Sequence, residues 1–159
     1  MRLFEDRLIL DLATKAAASP RRRAHFNIHD SAADLVQRFL VVAQPDSYFR
    51  PHLHRTRSEL ATVLEGRLDV VTFDAEGRIL ARYGVGEGTG QFAYEMAADT
   101  WHAIVLAHGP VAFLEVKQGP YDPATAVEFA DWAPQEGDES APRFQRWLRD
   151  AQVGGLYSP

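Results

Sequence analysis

Hydrophobic positions near the N-terminus of this chain recur at helical spacing. They fall at Leu8, Leu12 and Ala16 within residues 5–18, and the pattern stops at Ser19-Pro20. Apolar side chains three to four residues apart lie on one face of a helix, and proline cannot continue a helix. The pattern therefore predicts an amphipathic helix that ends before residue 20.

Short apolar runs separated by Gly, Pro and Asp replace this pattern between about residues 24 and 117. The runs occupy residues 39–42, 61–64, 70–73 and 104–106. Strands at such close spacing are typical of a sandwich or a barrel. The turn at residues 74–78 predicts a hairpin. The glycine-rich residues 84–90 lack the lysine of a phosphate loop, so we interpret them as a flexible connection between strands.

The pattern of apolar residues changes again after Gly119. Residues 143–152 would place Phe144, Trp147 and Leu148 on one side of a second, short helix. We therefore expect one domain built from three consecutive parts. These are an N-terminal helical segment over residues 1–23, a β-barrel over residues 24–118 and a C-terminal extension over residues 119–159 that packs on the barrel.

Composition narrows the class of protein. The chain has 159 residues, 46% hydrophobic and 25% charged, which is ordinary for a soluble globular domain. A net charge of −5 argues against nucleic acid as the main partner. There is no cysteine, so a metal would have to be held by nitrogen and oxygen ligands. Neither a signal peptide nor a membrane-spanning run is evident, and we expect a cytoplasmic protein with no membrane partner.

A His-x-His pair carries the clearest chemical signal. Residues two apart on a strand face the same way, so His52 and His54 can direct two imidazoles at one ion. Glu59 can return a carboxylate to that ion after a short bend. His102, in another strand-like stretch, is the natural fourth ligand. Three imidazoles and one carboxylate suit a single divalent first-row transition metal, such as Fe, Mn, Zn or Ni.

Residues preceding the pair are candidates for ligand binding. If the strand keeps its period of two, Tyr48 and Arg50 face the same way as His52 and His54. A guanidinium beside a metal can clamp a carboxylate or phosphate with two hydrogen bonds. The alternative is that Pro51 disturbs the alternation and leaves Arg50 as a surface charge.

Other polar residues in the barrel region have more than one interpretation. His25, Asn27 and His29 alternate, so they would line the barrel mouth, offer alternative metal ligands or simply pack as polar residues of an edge strand. Arg38 and Lys117 lie within apolar strands. This predicts either a salt bridge inside the barrel wall or a role in the pocket.

The histidine pattern resembles the two motifs of the cupin superfamily. The first motif, Gly-x5-His-x-His-x4-Glu-x6-Gly, matches residues 46–66 with every spacing kept, although Asp46 replaces its opening glycine. The second, Pro-x-Gly-x2-His, matches residues 97–102 but keeps only the histidine, because Ala97 and Asp99 replace the proline and glycine. The resemblance implies a single all-β cupin (double-stranded β-helix or jelly-roll) barrel, here with an N-terminal helix and a short C-terminal helix.

Further segments resemble the WbuC-type cupin metalloproteins of bacteria, a family sometimes found beside surface-polysaccharide genes. These segments are residues 19–23, 27–29, 36–38 and 115–123. The resemblance implies a metal-binding cupin whose reaction is undetermined, and cupin relatives commonly pair, so we expect a homodimer.

Two classes of function follow from these residues. The first is a metal-dependent isomerase, lyase, hydrolase or dioxygenase acting on a small polar molecule, either carbohydrate-derived or anionic. The second is a non-catalytic module that binds or senses a small ligand through its metal. No Ser-His-Asp arrangement can be singled out, so any chemistry would run through the metal.

Overall fold

The apolar runs form two five-stranded antiparallel sheets in the computed structural model, which describes residues 1–158. The order of strands is β1-β2-β9-β4-β7 in the first sheet and β10-β3-β8-β5-β6 in the second. The elements are α1 (Asp6–Ala18), β1 (Arg23–Asn27), β2 (Val36–Ala43), β3 (His52–Leu53), β4 (Glu59–Glu65), β5 (Arg67–Phe73), β6 (Ile79–Gly86), β7 (Ala93–Met96), β8 (Trp101–Val105), β9 (Val111–Gln118), β10 (Glu128–Phe129) and α2 (Ala141–Asp150).

The strands under the helices, such as β2 and β5, are buried on both faces because a helix covers the outer side of the sheet there. Val41 and Phe113 point into the core between the sheets, whereas Leu40 and Val42 pack against Leu12 of α1. The second sheet is covered in the same way by α2. Its buried Phe144 and Leu148 form a cluster with Val71, Phe73 and Val105. A strand buried on both faces has apolar residues at successive positions, and this explains the short apolar runs in the sequence.

One side of the barrel is closed by direct packing. Strand β6 lies against β4 and β7, so the two sheets meet there. Gly86, at φ 108°, permits this approach, since a Cβ at that position would lie 2.4 Å from the carbonyl oxygen of Gly66 and 2.8 Å from Val63. On the opposite side, β1 and β10 are the edge strands of their sheets.

The structure confirms most of the predicted elements. Both helices are present, and β5 pairs with β6 as the predicted hairpin. The prediction for residues 84–90 was wrong in its first part, because Gly84, Val85 and Gly86 complete β6. Val85 pairs with Leu68 and is buried in the core. The predicted C-terminal extension also supplies β10 to the second sheet.

None of the helices within residues 1–158 has the length and apolar character needed to cross a membrane.

Candidate metal centre

Three histidines meet between the sheets because two short strands pair in register. His52 on β3 lies opposite His102 on β8, and His54 follows at the end of β3. One ligand atom from each ring lies within 4.8 Å of the others. His54 and His102 are buried, and His52 is partly exposed. The predicted pairing of His52 and His54 with a distant His102 is therefore present in the structure.

Backbone carbonyl groups fix which nitrogen of each ring is free. The Nδ1 atom of His52 lies 2.9 Å from the oxygen of Arg50, and that of His102 lies 2.8 Å from the oxygen of Thr100. The Nδ1 atom of His54 is 2.6 Å from the oxygen of Ala126. A carbonyl oxygen only accepts, so each Nδ1 must donate its proton. The Nε2 atom of each ring is therefore the one directed at the centre, where it can carry a proton or bind a metal ion.

Glu59 brings its carboxylate to two of these rings. It begins β4 and is 3% exposed. Its Oε2 lies 3.1 Å from Nε2 of His54, and its Oε1 lies 3.1 Å from Nε2 of His102. Two lone pairs face each other favourably only if they share a cation, either a proton or a metal ion. Neighbouring ligands with bonds of about 2.1 Å at right angles would lie about 3 Å apart, so the spacing fits a transition metal.

Burial and mutual contact set the protonation of these groups. Burial, together with the neighbouring His102, lowers the pKa of His52 to about 3, so its ring is neutral at physiological pH. Burial disfavours charge on Glu59, but hydrogen bonds from His102 and His54 hold its pKa well below the usual range. Burial likewise opposes protonation of His102, yet the hydrogen bond and charge of Glu59 raise its pKa overall. Glu59 is thus an anion that attracts a cation into the centre.

Lys117 and Glu115 form an ion pair directly behind the carboxylate. Register pairs Glu59 with Lys117, and the ammonium lies 3.6 Å from Oε2 of Glu59 and 2.6 Å from Oε1 of Glu115. Burial opposes its charge, but Glu115 and Glu59 raise the pKa of Lys117. Both alternatives for Lys117 therefore hold, since it makes an ion pair within the wall and also lines the pocket.

His52 and His54 open onto a cavity of about 360 Å³ between the β1 edge and the segment after β9. Its wall carries more positive than negative side chains, although the chain as a whole has a net charge of −5. The cationic residues are Arg21, Arg23, Arg50, Arg57 and Lys117, and the acidic residues are Glu59, Glu115 and Glu136. Such a concave, cationic surface attracts small anions.

The structure places only one of the two predicted ligand-binding residues, Arg50 and Tyr48, on the cavity wall. Arg50 lines the cavity, with its guanidinium 5.2 Å from the ring centroid of Phe129 and its Nη2 donating to the oxygen of Ala130 at 2.6 Å. Tyr48 does not line this cavity. Its hydroxyl donates to the oxygen of Pro134, and its ring packs on Phe144. The alternation fails because the residues before β3 are not in a strand.

The alternating residues His25, Asn27 and His29, in β1 and just after it, have different surroundings. His25 lines the cavity, where burial lowers its pKa. His29 is buried, accepts a hydrogen bond from the backbone N–H of Arg38 at 3.0 Å and packs against Phe39. Asn27 is exposed at the end of the strand. Within residues 1–158 the grouped potential ligands are His52, His54 and His102. His25 therefore matches the alternative in which it lines the barrel mouth, and His29 matches the packing interpretation.

The turn before His102 keeps its shape without the glycine of the motif. Asp99 adopts φ 59°, a left-handed conformation that favours glycine. Its N–H donates to the oxygen of His54 at 2.8 Å, and its carboxylate lies 2.8 Å from Arg55. Asp46, at the first substituted glycine, pairs with Arg22. The substituted positions therefore join segments around the centre.

Solved structures with the same fold carry diverse activities. CapF in complex with the inhibitor 3-isopropenyl-tropolone is 17% identical, with a TM-score of 0.54 over 66% of this chain and 31% of that one. The DMSP lyase DddQ from Ruegeria pomeroyi DSS-3 is 18% identical, with a TM-score of 0.51 over 67% and 51%. An oxalate oxidase in complex with the substrate analogue glycolate is 14% identical, with a TM-score of 0.53 over 85% and 69%. Likeness at such low identity concerns the fold.

These similarities and the two-sheet barrel identify a cupin-fold protein. Within that class, the chain belongs to the family described as Domain of unknown function (DUF6016), whose model matches residues 4–85. The match includes His52, His54 and Glu59 and ends before His102. The chain spans from 31% to 61% of the length of the first three structures that it resembles. Among curated proteins, none matches the sequence.

Sequence reasoning did not find the charged groups supplied by distant segments. Glu115 was missed, and so was the contact of Glu136 with Arg21 and Arg23 at the start of β1. The signal for Glu115 was its place two residues before Lys117 on the same strand face. Glu136 lies in an acidic loop, and nothing local indicates its partner.

Proposed function

We propose that this protein is a metal-dependent cupin enzyme acting on a small anionic or polyhydroxylated molecule, with a divalent first-row metal held by His52, His54, His102 and Glu59. The observation that carries the proposal is the common tautomer of the three rings. Each Nδ1 is engaged by a carbonyl oxygen, and each Nε2 is left for a metal. A histidine cluster serving only as packing has no need of this shared orientation.

The cavity supports an anionic ligand. Its wall has five cationic and three acidic side chains, and Arg50 lies on it two residues before His52. Two structures of the same fold hold molecules with adjacent oxygen atoms, namely glycolate in the oxalate oxidase and a tropolone in CapF. A hydroxy acid or diol with adjacent oxygens is therefore the ligand class that we propose for this site.

Each lining residue has a task in such a site. When bound, the metal would supply Lewis acidity or an activated water or oxygen molecule. Arg50 would neutralise the carboxylate of the ligand through charge-assisted hydrogen bonds. Lys117 holds Glu59 in place from behind, while Phe39 and Phe129, from strands of different sheets, make part of the cavity lining apolar and would limit water. The reaction classes open to this arrangement remain isomerase, lyase, hydrolase and dioxygenase.

Metal analysis of matched variants tests the centre. We expect the purified wild type to contain about one divalent metal per chain and His52→Ala/His54→Ala to contain less than about a tenth of that, because two of four ligands are lost. His108→Ala, which removes an exposed histidine outside the cavity, is the control and should keep full metal content. Circular dichroism should show the same β-rich spectrum in all three. Full occupancy in the double variant would refute the ligand assignment.

Turnover of small hydroxy acids, diols and sugars by the metal-loaded wild type tests catalysis. We expect consumption of one of these compounds and none by His52→Ala/His54→Ala. A compound that raises the melting temperature of the wild type without being consumed would instead indicate the non-catalytic binding module. The homodimer, the cytoplasmic location and the WbuC-type subclass stay predictions, and light scattering tests the first of them.

A further inference from the structure

A second charged cluster lies on the cavity wall away from the histidines. Glu136, in the loop before α2, receives two hydrogen bonds from Arg21, from Nε at 2.6 Å and from Nη2 at 3.1 Å. Nη2 of Arg23 donates to the same carboxylate at 2.5 Å. All three side chains line the cavity that contains His52 and His54. Two guanidinium groups around one carboxylate form the arrangement that recognises carboxylates and phosphates.

Arg23 is held in position by contacts other than Glu136. Its Nη1 donates to the oxygen of Tyr48 at 2.9 Å and to Oγ of Ser47 at 3.2 Å, and its guanidinium lies 4.4 Å from the ring centroid of Phe49. The side chain is 12% exposed. Nη2 would therefore stay directed towards the cavity if Glu136 moved away. A buried guanidinium without an anion is unfavourable, so another anion would have to take the place of the carboxylate.

Glu136 is tied down much less firmly. Within residues 1–158 every hydrogen bond of its carboxylate goes to Arg21 or Arg23. The next residue, Gly137, adopts φ 91° and has open space where a Cβ would lie. The carboxylate can thus leave the arginines by a local change of the loop. Because Arg21 is largely exposed, an incoming anion can approach it from solvent.

We propose that Arg21 and Arg23 form an anion subsite, closed by Glu136 in the ligand-free protein, that a carboxylate or phosphate group of the ligand takes over. This inference deepens the proposed function and rests on it for the other end of the ligand. The ligand would then carry two polar ends, adjacent oxygens directed at the histidines and an anionic group directed at the arginines. Glu136 would act as an internal competitor that selects against molecules lacking the second charge.

Binding of inorganic phosphate, measured by calorimetry on the full chain, tests the subsite. Glu136→Gln keeps the shape of the side chain but removes its charge, so it should bind phosphate roughly ten- to a hundred-fold more tightly than the wild type. Glu136→Gln/Arg23→Met should lose this gain. Glu128→Gln is the matched control, because Glu128 also accepts from two guanidinium nitrogens, Nε and Nη2, of one arginine, Arg55, outside the cavity. It should show no gain.

Repeating the titrations after chelator treatment separates the subsite from the metal centre. A gain that persists without metal belongs to the arginines, and it should persist in Glu136→Gln combined with His52→Ala/His54→Ala. The subsite proposal is overturned if Glu136→Gln binds phosphate no better than the wild type, or if the gain survives Arg23→Met. Glu136→Ala, tested in parallel, must give the same answer should the glutamine variant be unstable. Neither overturning result depends on metal binding by the histidines.

Discussion

The two sides of the barrel are closed by different kinds of contact. On the β6 and β7 side the sheets meet through apolar side chains, among which Leu68 and Val85 are 0% and 2% exposed. On the β1 and β10 side the sheets enclose the cavity. There the α1–β1 turn and the loop before α2 are linked by the ion cluster of Arg21, Arg23 and Glu136.

This difference separates stability from function within one small domain. Apolar packing on the closed side contributes free energy in proportion to the area removed from water. Charged groups on the open side cost desolvation and give little net stability, but they can be exchanged for the charges of a ligand. A substitution on the closed side should therefore change the free energy of unfolding, and one on the open side should mainly change binding.

The largest expected effect is on the closed side. Leu68→Ala would leave a cavity in the packed core and should lower the free energy of unfolding by about 2–5 kcal/mol, measured by urea denaturation. Leu80→Ala is the control on the paired strand β6, where the leucine is 55% exposed, and should cost less than about 1 kcal/mol. Equal costs for the two would mean that this side is not the main source of stability.

On the open side, Arg50→Ala should weaken binding rather than folding. The loss of a charge-assisted hydrogen bond should reduce the affinity of metal-loaded protein for glycolate by about 1.5–3 kcal/mol, roughly ten- to a hundred-fold, by calorimetry. Metal content should stay unchanged, since Arg50 contacts His52 only through its backbone oxygen. Arg55→Ala, outside the cavity, is the control. An unchanged affinity for glycolate in Arg50→Ala would leave that guanidinium a structural group bound to Ala130.

The ion cluster should make a smaller, pH-dependent contribution to stability. Burial opposes ionisation of Glu136, but Arg21 and Arg23 hold its pKa below the ordinary value of 4.5. A depressed pKa in the folded state stabilises the protein above the unfolded-state pKa, and this stability is lost as pH falls through the folded-state pKa. Glu136→Gln should therefore cost about 1 kcal/mol at pH 7, discounted for solvent screening. The gap in melting temperature between variant and wild type should begin to close as pH falls below about 4.5, and a gap that stays constant from pH 7 to pH 3 would exclude this origin.

The smallest effect is expected at the turn before β8. Asp99→Gly would relieve the left-handed strain of an L-residue but lose an exposed ion pair with Arg55 and increase the freedom of the unfolded chain. These terms oppose each other, so the free energy of unfolding should change by less than about 1 kcal/mol. Metal content should not change. A destabilisation above about 2 kcal/mol would mean that the carboxylate itself supports the loop of His102.

Local patterns in the sequence predicted much of this molecule. Helical spacing over residues 5–18 was enough to predict α1, and short apolar runs were enough to predict the strands. Both patterns arise because the buried side of each element must be apolar. The spacing of His52, His54 and Glu59 predicted that these three side chains lie close together, because only a short bend separates the histidines from the glutamate. His102 was found because a transition metal needs a further ligand.

Other features depend on which strand lies beside which. Glu59 faces Lys117 through the register of β4 and β9, and Arg21 meets Glu136 across 115 positions in the sequence. No periodicity encodes such pairings. Tyr48 was misplaced for a related reason. Alternation predicts a side chain's direction only within a strand, and residues 44–51 lie between β2 and β3, outside any strand.

The position of β3 in its sheet also determines when, during synthesis of the chain, the histidine centre can form. Its two residues lie between β8 and β10, where His52 pairs with Phe129 and Leu53 with Glu128. Both histidine motifs are synthesised before the acceptor of His54, the oxygen of Ala126, has been made. A nascent chain that contains all four proposed ligands would still have an unpaired strand edge and an unfixed His54 ring. The centre reaches its final geometry only when translation has passed residue 129, so the first histidine motif to be made must wait for a segment about 75 residues further along the chain.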